Sequence, residues 1–370
     1  MVEAGKRARL RELGIVIGRH PTGPYNAITD VPGVKVGHTT LIYDEPRIAR
    51  TGVTAIIPRA DIGRDQCFAG FHSFNGNGEM TGVHWINESG LLSTPIAISA
   101  THYVGVAHRA LVEYSAGHGF ANTWSLPVVA ETYDGFLNDA DYFHLTPQHV
   151  ISALETASAG PVAEGCVGGG TGMICHEFKG GIGTASRVIT LKSGVYTLGV
   201  LVQANYGDRD LLRVDGVPVG KLIAHERAPL PPWDDDLTPA PNVGSNGSSI
   251  IVVVATDAPI LPLQCRRLAQ RATVGIARVG GVGHNGSGDL FLAFSTANHM
   301  PNRPETVQQV SMLPQHHLND LFDGVAEATE EAILNALCAA ETTTGLHGRT
   351  VHALPLDALQ TIVSAYPRGK

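Results

Sequence analysis

The chain has 370 residues, 43% of them hydrophobic and 16% charged, with a formal net charge of −8 at pH 7. These totals describe a well-packed globular protein of one large domain or two, and exclude a disordered chain. The acidic balance argues against a nucleic-acid binder that relies on a basic surface.

From Met1 to His20 the sequence carries charges but no apolar core of signal-peptide length, and no apolar stretch reaches membrane-spanning length. Val53-Thr54-Ala55-Ile56-Ile57 and Ile96-Ala97-Ile98-Ser99 read as buried strands. Thr146-Pro147 is an N-cap followed by proline at the first helical position, with Val150, Ile151 and Leu154 as the apolar stripe. Gly168-Gly169-Gly170-Thr171-Gly172 lacks the Gly-Lys-Ser/Thr of a phosphate loop, and reads as close backbone packing or a pocket wall. Val188–Leu191 and Val195–Val202 flank a turn of hairpin length.

Residues 229–247 are rich in Pro, Asp, Gly, Ser and Asn, have little to pack, and read as a flexible linker. Beyond it, Val252–Ala255 and Leu290–Phe294 are strands. Leu261, Gln264, Cys265, Leu268, Ala269 and Ala272 repeat at helical spacing, with Arg266, Arg267 and Gln270 turned away. Leu318, Leu321, Phe322, Val325, Ala328 and Ala332 form a second such stripe, which places Glu327, Glu330 and Glu331 outside. Mixed strands, hairpins and helices point to an α+β layered sandwich rather than a doubly wound sheet. Because the strand after the linker reads as fully buried, residues 1–370 are expected to form one domain made of two segments, 1–248 and 249–370.

Five cysteines, Cys67, Cys166, Cys175, Cys265 and Cys338, are scattered without a Cys-x-x-Cys pair. Neither a disulfide framework nor a zinc knuckle is supported, and a reduced, cytoplasmic setting is expected. There are 17 histidines but no His-Glu-x-x-His, and the adjacent Cys175-His176-Glu177 cannot all face one metal from a regular strand or helix. No metal is expected. No Gly-x-Ser-x-Gly elbow is present, which argues against an α/β-hydrolase.

The chemistry gathers where the linker ends, at Asn246-Gly247-Ser248-Ser249, which runs directly into the β-branched Ile250-Ile251-Val252-Val253-Val254. A hydroxyl at the mouth of a buried strand, behind a flexible connection, suits a chain that cuts itself there. The hydroxyl attacks the preceding carbonyl, an ester forms, and water hydrolyses it. The freed serine then carries a nucleophile and, in an α-amine of unperturbed pKa about 7.7–8.0, its own base. Either Ser248 or Ser249 can follow the scissile bond on these grounds, and a plain turn into a strand is the alternative.

Ser249-Ile-Ile-Val-Val-Val-Ala-Thr-Asp-Ala-Pro, Arg266-Arg267-Leu268-Ala269 and Asn285-Gly286-Ser287-Gly288-Asp289 closely resemble the self-processing S58 peptidases. The resemblance continues upstream in Asn26 to Val34, Asn75-Gly76-Asn77-Gly78-Glu79-Met80-Thr81-Gly82, Leu126 to Gly135, and Val202-Gln203-Ala204-Asn205-Tyr206-Gly207, and so covers nearly the whole chain. It implies a four-layer αββα sandwich of the DOM type, resembling the N-terminal-nucleophile hydrolases. It also implies a homotetramer of cleaved protomers, no cofactor, and an aminopeptidase acting on short peptides, amides or esters with a free amino group.

Carried over residue by residue, the resemblance favours the cut before Ser249 and makes Ser249 the nucleophile. Ser287 and Asp289 become its supports, Asn205 an oxyanion donor, Glu131 the acceptor of the substrate ammonium, and Tyr133 a wall of the same site. Read alone, Ser287-Gly288-Asp289 is a turn, Asn205 a turn residue, Glu131 and Asp134 a solvated loop pair, and Tyr133 ordinary packing. An acyltransferase of the ornithine acetyltransferase type, an ω-amino amide oligomer hydrolase, and a binding protein that never breaks its loop are the alternatives. The acyltransferases typically use threonine where this chain has serine.

Overall fold

The computed structural model describes residues 6–119, 124–233 and 248–367. The strands run β1 (Lys35–Tyr43), β2 (Ala49–Ile57), β3 (Asp65–Gly76), β4 (Leu91–Leu92), β5 (Ile96–Ala100) and β6 (Val128–Thr132). They continue as β7 (Ile174–Cys175), β8 (Phe178–Lys179), β9 (Gly181–Leu191), β10 (Gly194–Asn205), β11 (Ser249–Thr256) and β12 (Gly288–Pro301). The helices are α1 (Val83–Ser89), α2 (Val104–Gly117), α3 (Pro147–Glu155), α4 (Val219–Leu222), α5 (Pro262–Val279), α6 (Leu318–Ala339) and α7 (Leu356–Ala365).

Two sheets stack face to face. One has the order β1-β2-β5-β6, the other β4-β3-β12-β11-β10-β9. Ile56, Ile98 and Val128 of the first meet Leu201, Ile251, Val253 and Leu292 of the second in the central core. Helices α2 and α3 cover the outer face of the four-stranded sheet through Ala107, Leu111, Val150 and Leu154. Helices α5 and α6 cover the outer face of the six-stranded sheet through Leu268, Ala272, Ala328 and Ala332. The result is the four-layer αββα sandwich.

The β-branched run explains itself in this frame. Side chains alternate across a strand, so Ile251 and Val253 enter the inter-sheet core while Ile250, Val252 and Val254 face the helices. Both faces are covered, and every residue of β11 is buried. Strands β11 and β12 run parallel, and α5 supplies the crossover that a parallel pair needs. Strand β11 pairs antiparallel with β10 on its other side, and β12 pairs antiparallel with β3. The strands after the linker therefore sit between strands that precede it.

The three glutamates expected on the outside of α6 are buried instead: Glu327 and Glu330 are 5% exposed and Glu331 is fully covered. Cations meet them. The buried Arg187 of β9 reaches Glu327 at 3.0 Å and Glu331 at 2.8 Å, Arg11 reaches Glu331 at 2.7 Å, and Arg278 reaches Glu330 at 3.5 Å. Helical periodicity marks charge as outward-facing by default and cannot anticipate a buried partner 140 positions away. Helix and sheet approach closely here: a Cβ on Gly183 of β9 would come within 1.9 Å of the Ala332 carbonyl oxygen of α6.

Residues 234–247 of the expected linker lie outside the described residues. Of 229–233, Pro229, Leu230 and Pro232 are exposed and Pro231 is buried, and Trp233 lies 4.5 Å from the Phe136 ring with its Nε1 donating to Glu177 Oε1 at 2.9 Å. The glycine turn at 168–172 packs backbone against strands, its Gly168 and Gly169 N–H groups donating to Thr40 and Thr54.

Candidate active site

Register brings the site together. Ser249 opens β11 opposite Asn205, the last residue of β10, and opposite Gly288, the first residue of β12. Three strand ends from distant parts of the chain thus meet at one point. Ser249 is buried, and its hydroxyl donates to the carbonyl oxygen of Ser248 at 2.7 Å. The Gly288 N–H donates to that same carbonyl at 3.0 Å and lies 3.3 Å from Ser249 Oγ. The carbonyl of the 248–249 bond therefore already holds two donors, one of them the hydroxyl of the residue that follows it.

Ser287 and Asp289 flank Gly288 on the same side of the strand. The Ser287 hydroxyl donates to Asp289 Oδ1 at 2.6 Å, and both residues are buried. Burial pushes the Asp289 carboxyl up to about 6, against the opposing effects of Ser287, the Ile250 main chain and His284. The turn that carries Ser287 is tied to β3 and the residue after it. Asn77 donates from its main chain to Ser287 O at 3.1 Å and from Nδ2 to Gly286 O at 2.8 Å, and Asn75 Nδ2 donates to His284 O at 2.5 Å.

Asn205 is held from two sides. Its Oδ1 accepts the Ile174 N–H at 2.8 Å, and its Nδ2 donates to the Tyr133 carbonyl at 3.1 Å. The Ile174 turn is pinned in turn by Lys179, whose buried ammonium donates to the carbonyls of Met173 at 2.7 Å, Gly180 at 2.9 Å and Gly170 at 3.3 Å. One turn of sheet below Asn205, Gln203 Nε2 stitches the two sheets by donating to Ser99 O and Thr132 Oγ1.

Glu131 belongs to β6, paired with Ser99 of β5. It is buried, and its carboxylate accepts the Glu79 N–H at 2.9 Å and the Thr101 hydroxyl. Burial raises its pKa, while Thr101 and the Glu79 N–H pull the other way. A Cβ built on Gly78 would lie 3.1 Å from Glu131 Oε1 and 3.1 Å from Gly288 Cα. The carboxylate therefore faces the Ser249 corner across a single glycine, and a side chain at position 78 would fill the gap.

Tyr133 adds its carbonyl to Asn205 and keeps a half-exposed ring, which lies over Gly135 and 6.1 Å from the ring of His102. Asp134 is fully buried, its carboxyl pushed up to about 6 by desolvation. Glu131 and Asp134 are thus no solvated pair. Cys175, His176 and Glu177 serve the fold: His176 Nδ1 meets Asp208 O at 2.9 Å, and Glu177 carries Trp233 and the Arg209 N–H. Among the described residues no group of three or more His, Cys, Asp or Glu side chains is arranged to hold a metal ion.

Sequence reasoning named Ser249, Ser287, Asp289, Asn205 and Glu131, and the structure gathers them at one corner. It passed over Thr101, Gly78, Lys179 and the main-chain N–H groups of Gly288 and Ile174. The Asn75-Gly76-Asn77-Gly78 repeat was the available signal for Gly78, since two Asn-Gly pairs in a row promise side chains that cap a neighbouring turn.

A serine heading the central strand of an αββα sandwich places the molecule among hydrolases with the N-terminal-nucleophile fold. The model of peptidase family S58 matches residues 26–351. A β-peptidyl aminopeptidase, BapA, from Sphingosinicella microcystinivorans is 47% identical over 368 residues, covering 97% of this chain and 93% of the relative. A solved β-aminopeptidase from Burkholderia sp. is similar with a TM-score of 0.88 and 48% identity, over 98% of this chain and 100% of the other. The L-aminopeptidase D-Ala-esterase/amidase of Ochrobactrum anthropi, described as a variant of the Ntn hydrolase fold, is similar with a TM-score of 0.86 and 45% identity. It covers 96% of this chain, which spans 98% of it. The chain belongs to peptidase family S58, and it is a peptidase.

Proposed function

We propose that the chain severs its own 248–249 bond and then works as a serine aminopeptidase on short peptides, amides or esters that carry a free amino group. The observation that carries this reading is the Ser248 carbonyl, held by the Ser249 hydroxyl at 2.7 Å and the Gly288 N–H at 3.0 Å. Segments 1–248 and 249–370 remain together after the cut because β11 and β12 sit between β3 and β10 in one sheet.

In the mature enzyme, Ser249 Oγ attacks the substrate carbonyl and its own α-amine takes the proton. The oxyanion falls to Asn205 Nδ2 and the Gly288 N–H, each such donor contributing about 3 kcal/mol to lowering the barrier. The substrate ammonium sits on Glu131, beside Tyr133. The leaving amine departs protonated, and water resolves the acyl-enzyme. Ser287 and Asp289 keep the α-amine oriented and provide a nearby proton acceptor.

A denaturing gel with mass spectrometry tests the reading. Wild type should give fragments 1–248 and 249–370, and Ser249→Ala should stay whole at 39.0 kDa. An intact, active wild-type chain refutes self-cleavage, while fragments that begin at Ser248 move the nucleophile by one residue. A cytoplasmic setting accords with five unbridged cysteines. A homotetramer of cleaved protomers accords with the family resemblance and is tested by light scattering.

A further inference from the structure

Against Ser248 lies a small cavity with room for about one water. Ser248, Tyr206, His284, Ser287 and Asp289 line its polar side, and Ile276 its apolar side. Tyr206 is the residue after β10. Its ring is buried and meets His176 edge-on at 5.0 Å. Its hydroxyl finds no hydrogen-bond partner among the described residues. A buried hydroxyl left unpaired is costly where a phenylalanine ring would pack as well. A cavity with several polar walls answers that cost when it holds a water with two or more partners.

The opposite wall supplies the second partner. Asp289 takes the Ser287 hydroxyl on Oδ1 and faces His284 and Tyr206 as well. Burial holds the Tyr206 phenol well above its usual range, so it keeps its proton, while the Asp289 carboxyl at about 6 is ionised at neutral pH. The cavity therefore offers one lasting donor and one base, with Ser248, the residue whose carbonyl self-cleavage must hydrolyse, in its wall.

We propose that Tyr206 and Asp289 hold a water in this cavity, and that this water hydrolyses the ester formed during self-cleavage. The inference rests on the self-cleavage proposed above. First, Ser249 Oγ bonds to the Ser248 carbonyl carbon, the C–N bond breaks, and the hydroxyl proton passes to the leaving nitrogen. Residue 248 is then esterified to Ser249 Oγ. Next, the water oxygen bonds to the same carbon while Asp289 takes a water proton. The C–Oγ bond breaks, and Oγ takes that proton back from Asp289. One water is consumed, Ser248 ends as a carboxylic acid that passes its proton to the new α-amine, and Ser249 regains its hydroxyl. Tyr206 is a water-positioning residue in this scheme, and Asp289 the base.

The test is Tyr206→Phe in the full chain, with wild type beside it. The variant should melt within a few degrees of wild type, process at least about tenfold more slowly, and be cleaved by neutral hydroxylamine, which aminolyses an ester but not the original amide. The hydroxamate should sit on Ser248. Processing at the wild-type rate overturns the inference. So does a persistent chain that resists hydroxylamine, because the defect then precedes the ester. A wild-type chain that never breaks sinks the self-cleavage itself, and this inference with it. A crystal structure of the Ser249→Ala precursor gives an answer that does not depend on how Tyr206→Phe folds. A water within hydrogen-bonding distance of Tyr206 Oη and Asp289 is expected there, and a dry cavity overturns the proposal.

Discussion

Replacing Glu131 with glutamine removes one charge from the corner and almost nothing else. The side chain is 3% exposed and held by the Glu79 N–H and the Thr101 hydroxyl. Glutamine is isosteric: its carbonyl can keep the Glu79 N–H, and its amide can donate to Thr101. What it cannot supply is a negative charge for a substrate ammonium in a site shielded from water. Truncating one partner of a buried, hydrogen-bonded charge pair costs about 2–5 kcal/mol, or roughly 30- to 5000-fold in kcat/KM. The assay is hydrolysis of an aminoacyl p-nitroanilide with a free amine, run beside the same compound with its amine acetylated. Only the charged substrate should suffer in Glu131→Gln. Equal losses on both substrates, or a free-amine substrate turned over within threefold of wild type, would refute the assignment.

Stability should move the other way in the same variant. Burial raises the carboxyl of Glu131 above 4.5 in the folded chain, so folded protein holds a proton there over a range in which unfolded protein has lost it. Stability from the neutral form is present below 4.5 and is lost as pH rises through the folded value. At pH 7 glutamine, which cannot ionise, should leave the melting temperature unchanged or raised. The contribution of Glu131 to the acid limb of wild-type kcat/KM should lie above the ordinary carboxylate range and be missing in Glu131→Gln, which keeps only the limb of the Ser249 α-amine.

Asn205→Ala should lower kcat about 100- to 1000-fold with little change in KM, the usual cost of deleting an oxyanion donor, as read by steady-state kinetics. Self-cleavage of the precursor should accelerate as pH rises through about 6, because Asp289 must be ionised to accept a proton, with Ser287, His284 and Tyr206 as its facing groups. Asp289→Asn should remove that limb in a gel-based time course. Arg187→Met leaves the buried Glu327 without its cation and Glu331 with Arg11 alone, and should cost about 3–5 kcal/mol in urea unfolding. The double change Arg187→Met with Glu327→Gln should recover part of that loss.

The layers were readable because local chemistry decides them. The alternating use of both faces of Ile250 to Val254, the proline-capped start of α3 and the apolar stripe of α5 each satisfy a rule that operates within a few residues. Where a partner comes from far away, the same rules mislead. Glu327, Glu330 and Glu331 have the spacing of a solvated helix face, and they are buried because Arg187, Arg11 and Arg278 arrive from other elements. Trp233 stands near the start of a stretch whose composition reads as unpacked, yet it finds Phe136 and Glu177.

The site divides along the same line. Residue types alone marked a hydroxyl at the head of a buried strand, while its companion serine and aspartate and the distant asparagine and glutamate were named only through the family resemblance. Their convergence is a matter of register. Asn205 meets Ser249 because β10 pairs antiparallel with β11, Gly288 meets it because β12 runs parallel, and Glu131 faces them across Gly78 because two separate sheets stack. The main-chain donors of Gly288 and Ile174, the buried Lys179 and the Tyr206 hydroxyl, unpartnered among the described residues, left no mark in the sequence. A backbone N–H is the same in every residue but proline, and only the folded path of the chain decides what it points at.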